Sequence, residues 1–154
     1  MRLSLHPTAR LQTWGIAILR VVVGSVFLVH GAQKLFMLGI PAVAAFMTHI
    51  GMPLPMASAR LLTVVEFFCG LALVAGLLTR WAAVPLAVVM AVAMIRVHLS
   101  AGFFLPNGFE YALTLLGACV ALTCLGPGVL AIDNWLATDH DKPAARSASV
   151  ARAA

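Results

Sequence analysis

The stretch WGIAILRVVVGSVFLVHGAQKLFML, Trp14 to Leu38, decides how the rest of the chain is read. It is apolar over more than the roughly 20 helical residues needed to cross the hydrocarbon of a bilayer. Arg2 and Arg10 precede it, as they would a secretory signal, but the run is long for such a segment and no A-x-A cleavage site follows. It is therefore expected to stay in the membrane as a first span. Three more apolar stretches follow: Ala57 to Leu78, Trp81 to Leu99, and Phe109 to Leu125. The expected fold is an all-α bundle of four transmembrane helices.

Composition agrees. Of 154 residues, 62% are apolar and 10% charged, too few charges to cover a soluble domain of this size. The net charge of +5 comes without a basic run or an aromatic platform beside one, so nucleic acid is not expected as a partner. The charge reads instead as a topology signal. Arg2, Arg10, Arg80, Lys142, Arg146 and Arg152 flank spans on one side, while the connections between spans one and two and between spans three and four carry no Lys or Arg. Positive flanks stay in the cytoplasm, so both chain ends are expected there.

Residues 1–13 read as a leader, 14–126 as one membrane domain, and 127–154 as a cytoplasmic tail whose distal Ala/Ser-rich part is expected to be disordered. Pro41, Gly51, Pro53 and Pro55 mark residues 39–56 as a loop with a short amphipathic turn near Phe46. Cys69, Cys119 and Cys124 lie in apolar runs without a CxxC pair, as ordinary packing cysteines do. Gly24, Gly31, Gly70, Gly76 and Gly117 are expected where helices approach closely.

The remaining ionisable residues carry the functional reading. Arg20, His30, Lys34, Arg60, Glu66, Arg96, His98 and Glu110 lie within or at the ends of spans, where charge costs about 2.5–3.5 kcal/mol at mid-helix and needs a partner or a purpose. All but Arg20 fall in the outer half of the bilayer on the expected topology, and Arg20 is expected to snorkel toward the cytoplasm. His30 and Lys34 share a helix face at i,i+4. Glu66 is the expected counter-ion of Lys34, Arg60 or Arg96, and Glu110 of another of them. Excess positive charge at this level suits a small anion or a quinone-like head group. His30, His98 and His49 lack tight metal-ligand spacing and have cations beside them, so no metal is expected.

These residues carry a resemblance. His30-Gly31-Ala32-Gln33-Lys34-Leu35 resembles the HGxxKL signature of the DoxX family of bacterial membrane proteins. Glu66 with Gly70-Leu71, Gly76-Leu77-Leu78-Thr79-Arg80, Gly108-Phe109-Glu110-Tyr111, and Gly126-Pro127-Gly128 with Asp133 follow in the family's order. Ala131 departs from a serine expected in many members. The resemblance implies a multi-pass protein of the bacterial inner membrane, similar to small subunits of a thiosulfate:quinone oxidoreductase or to a member linked to thiol and superoxide handling. It singles out His30, Lys34, Glu66 and Glu110.

The expected function is a subunit or accessory of a quinone-linked redox system. His30 and Glu66 would act on protons, and Lys34, Arg60, Arg96, His98 and Glu110 would bind the ligand. The sequence has no haem ligand pair, flavin fingerprint or redox cysteine pair, so electrons would come from a redox partner protein or from the substrate. The alternative is a non-catalytic scaffold, assembly factor or small-molecule binder. A homo-oligomer is compatible with either.

Overall fold

The computed structural model describes residues 9–140, and their regular structure is all helical. The cations Arg2, Lys142, Arg146 and Arg152, and the tail beyond residue 140, lie outside the described residues. Three helices are long and apolar enough to cross a membrane: α1 (Ala9–Leu38), α3 (Pro55–Ala75) and α4 (Thr79–Ala101). Three shorter helices join them: α2 (Ile40–His49), α5 (Glu110–Leu125) and α6 (Ile132–His140). The expected fourth span is α5. Its 16 residues rise about 24 Å, less than the roughly 30 Å of bilayer hydrocarbon.

Two helices stand where the sequence was read as irregular. Pro41 and Pro55 each occupy the first turn of a helix, where the missing N–H has no intrahelical partner to lose. Residues 40–49 thus form α2 rather than a loop, and Val43, Ala44 and Met47 bury against Ala59 of α3. The second is α6, inside the segment read as a tail.

Antiparallel α1 and α3 form the closest pair. A Cβ on Gly24 would stand 2.8 Å from Leu73 Cβ, and one on Gly70 would stand 2.5 Å from the Leu28 nitrogen. One on Gly31 would overlap the backbone of Phe67. Backbones this close gain dispersion contacts that lipid tails cannot supply. Gly117 differs from the expectation: it is exposed, and nothing would meet a Cβ there. Antiparallel α4 and α5 form the second pair, sharing Ala83, Leu86, Cys119 and Leu122 in a core that Val23, Phe27 and Leu73 complete.

Arg20 does not snorkel. It is 1% exposed, and its Nη1 donates to the carbonyls of Leu73 at 2.6 Å and Val74 at 3.0 Å. Its Nη2 donates to the carbonyls of Leu130 at 3.0 Å and Val129 at 3.4 Å. The first two acceptors are last-turn carbonyls of α3, at the negative end of the helix dipole. Gly76, at φ +71°, closes that terminus: its N–H donates to the Leu73 carbonyl and that of Leu77 to the Ala72 carbonyl. This reversal needs a left-handed residue, which glycine adopts without steric penalty. Asp133 caps the next helix from α6, its carboxylate accepting from the N–H groups of Leu78 at 2.6 Å and Thr79 at 3.0 Å. The Arg20 end of the bundle therefore holds a hydrogen-bonded latch among α1, α3, α4 and residues 129–133.

Gly31→Leu is expected to destabilise the protein by at least about 1–3 kcal/mol through overpacking, whereas Gly117→Leu leaves the midpoint of thermal unfolding in detergent nearly unchanged. Arg20→Met strands buried carbonyls at about 1–3 kcal/mol for each unpaired group. It should lower that midpoint more than Asp133→Ala, which loses a cap worth about 0.5–2 kcal/mol.

Candidate functional site

Each long helix loosens into a π-helical turn: Gln33–Leu38 at the end of α1, Val65–Cys69 midway along α3 and Met94–His98 near the end of α4. A π turn inserts an extra residue and rotates the following side chains relative to a regular helix, and such turns recur at functional sites. Lys34 lies in the first, Glu66 in the second, and Arg96 and His98 in the third.

Lys34 and Glu66 meet. The Nζ of Lys34 donates to Oε2 of Glu66 at 2.6 Å, with 17% and 6% of the two side chains exposed. Among its three candidate cations, Glu66 therefore pairs with Lys34. Nζ also approaches the His30 carbonyl at 3.5 Å. In an apolar layer the two charges offset each other's desolvation, and removing either alone leaves the other uncompensated.

The pair borders a cleft of about 600 Å³. One wall comes from α2 and α3, with Phe46, Met47 and Leu62 on it; the other is α4 from Val84 to Val97, about 20 Å of helix. The first half of α3 packs on α2 rather than on α4, so α3 and α4 part from their shared turn toward the Lys34 end. The walls are almost wholly apolar, and Lys34, Ser58, Glu66 and His98 are the polar side chains lining them. Three of those four sit in π turns. Leu61, Val84, Val88 and Val92 line the cleft and are also exposed, so its flank opens on the side of the bundle.

A second cavity of about 160 Å³ lies across Glu66, among α1, α3, α4 and α5. His30, Glu66, His98 and Tyr111 supply its polar lining. Glu66 and His98 border both spaces. The Nδ1 of His98 lies 2.9 Å from the Asn107 carbonyl; since a carbonyl only accepts, Nδ1 is the protonated nitrogen and neutral His98 has its lone pair on Nε2.

The other expected site residues are not brought to the pair. Arg60 and Arg96 are exposed and line neither cavity, and His49 is exposed at the end of α2. Among the described residues Glu110 pairs with no cation: its Oε1 accepts from the Leu105 N–H at 2.8 Å, in a segment where the Phe103 and Phe109 rings also meet edge to face. Among the described residues no three His, Cys, Asp or Glu side chains gather as a metal site requires. Sequence reasoning passed over Tyr111 and Ser58. Tyr111 carried a signal, as the chain's single tyrosine beside Glu110; Ser58 carried none.

Comparison with known proteins gives one family and several relatives. The model of the DoxX family matches residues 15–99. A Bacillus subtilis protein named "Putative oxidoreductase CatD" is 35% identical over 79% of this chain and 87% of its own length. "Uncharacterized membrane protein Rv3486" of Mycobacterium tuberculosis is 36% identical over 77% of this chain and 78% of its own. "Inner membrane protein YphA" of Escherichia coli is 29% identical over 77% and 88%. No solved structure matches the chain significantly.

Truncating Lys34 to Met or changing Glu66 to Gln should each destabilise the protein, by about 3–5 kcal/mol where a buried charge is left alone. The double variant should recover a large part of that loss, a coupling that a double-mutant cycle on unfolding in detergent measures directly.

Proposed function

This chain belongs to the DoxX family and is a multi-pass protein of the inner membrane, and from that premise we propose that it is a membrane subunit of a quinone-linked redox system, binding a quinone head group at Lys34 and Glu66. The observation that carries the reading is the shape and polarity of the cleft: a long apolar slot, open along its flank, with a charged pair on its wall. A hydrophobic ligand that enters sideways from lipid and ends in a compact polar ring fits that combination. The volume lies in the range of small-molecule sites, and the apolar walls would bury an isoprenoid tail.

In this reading Lys34 donates to a head-group oxygen, and Glu66 passes protons to or from it. Reduction of a quinone to a quinol takes two electrons and two protons. The electrons come from a reduced sulfur donor, of thiosulfate or thiol type, through a partner protein. The oxidoreductase name of the Bacillus subtilis relative is compatible with such a role. In this reading the Arg20 end, where the positive flanks gather, is cytoplasmic, and the cleft opens from the Lys34–Glu66 pair toward the outer face. Arg60 and Arg96 take no part in holding the head group; they serve at the lipid head-group level.

Titration of the purified protein in lipid nanodiscs with decylubiquinone tests this. Saturable binding is expected, weakened by roughly tenfold or more in Lys34→Ala, as for loss of a charged hydrogen bond, and abolished by Val89→Trp, which fills the slot. Arg60→Ala and Arg96→Ala should bind as the parent does. Should Lys34→Ala and Glu66→Gln lower thermal stability while ligand uptake stays unchanged, the pair is a structural fastener and the scaffold reading replaces this one.

A further inference from the structure

The smaller cavity has no place in ligand binding, yet it shares Glu66 with the cleft. Its polar groups come from three helices besides α3: His30 from α1, His98 from α4 and Tyr111 from α5. The rest of its lining is Val26, Phe27, Met90, Ala93, Ala112 and Leu115. A buried space holds water when it is larger than about one probe sphere and offers a water two to four polar partners. About 160 Å³ with four polar side chains satisfies both conditions. His30 and Tyr111 line this cavity and are also exposed, so they stand at its mouth, whereas Glu66 is buried at its inner wall.

We propose that this cavity is a water-holding proton route, running from the surface at His30 and Tyr111 past His98 to the carboxyl group of Glu66. The charged and titratable groups facing Glu66 are Lys34 and His30 on α1, His98 on α4 and Tyr111 on α5. From α2, and from the remainder of α3, no titratable side chain among the described residues lines either space. Neutral His30 and Tyr111 each both accept and donate, as a relay of single protons requires, and His98 offers Nε2 as an acceptor. His98 is oriented for it: with Nδ1–H held by the Asn107 carbonyl, Nε2 accepts a proton from one side and, once charged, returns it. No electron moves in this step, and the proton that leaves Glu66 on one side is replaced from water on the other.

The two spaces divide the labour at one carboxyl group. The cleft brings a hydrophobic ligand from the bilayer, and the small cavity brings protons without letting bulk water into the cleft. The inference deepens the quinone reading, since a head group that changes protonation needs such a supply. Its test uses no quinone, so either can fail alone.

The full-length protein in nanodiscs is transferred to deuterated buffer, and infrared difference spectra follow the carboxylic acid band of Glu66, assigned by its loss in Glu66→Gln. Filling the small cavity with Ala112→Phe should slow exchange at Glu66 by roughly tenfold or more, the scale of positioned proton transfer. Tyr111→Phe and His30→Leu, which keep the bulk but remove the polar groups, should slow it as well, so the result does not rest on one core variant. Val89→Trp, which fills the cleft, should leave the exchange rate unchanged. Slowing by Val89→Trp with parental rates in Ala112→Phe, Tyr111→Phe and His30→Leu would overturn the proposal. So would the absence of any protonated Glu66 band over the pH range in which the protein stays folded.

Discussion

The guanidinium of Arg20 gathers four backbone carbonyls from two separate segments at one end of the bundle, and the rest of the architecture depends on that knot. The end of α3 and the start of α4 leave backbone groups without intrahelical partners, and here distant side chains supply them. Arg20 takes the end of α3 and Asp133 takes the start of α4, while the Asp133 N–H donates to the Gly76 carbonyl. The turn is held from both sides by residues far away in sequence. With this end closed, α3 and α4 can separate toward the other.

That separation makes the site. Close packing of α1 on α3 through Gly24, Gly31 and Gly70, and of α4 on α5 through Ala83 and Cys119, leaves two tight pairs. Joined at a latched turn and lined by α2 on one side, they enclose an apolar cleft between them. Three of the polar side chains on its walls, Lys34, Glu66 and His98, stand in π turns. One end of the bundle is a fastener and the other a compartment. Both use charge, but Arg20 is spent on backbone and Lys34 on a side-chain carboxylate that borders two cavities.

Pairing Lys34 with Glu66 also makes the site adjustable. A buried ion pair contributes little net stability over apolar packing, and its worth lies in specificity or switching. Here each partner can turn to a ligand without unravelling a helix, because the backbone is held elsewhere. Arg20 has no such freedom, since its acceptors are main-chain groups with few other donors in reach.

What the sequence by itself determined was the solvent, the helical class and the list of costly residues. Apolar runs long enough to span a bilayer can be read without any fold, and so can charges placed where they must be satisfied. The i,i+4 spacing of His30 and Lys34 and the choice of Glu66 as a counter-ion were legible because helix geometry and opposite charge are local or pairwise rules. Which cation Glu66 meets was not, because the choice depends on how α1 lies against α3. Nor was the exclusion of Arg60, Arg96 and Glu110 from the pair: Arg96 lies in a π turn, whose facing no periodicity reveals, and Glu110 is taken up by the Leu105 N–H. The role of Arg20 was misread for the same reason: an arginine in a span looks like a snorkelling side chain until its partners, 53 to 110 residues away, are brought to it. Only tertiary structure decides such contacts, because hydrogen-bond acceptors on the backbone leave no mark in the identity of the residues that carry them.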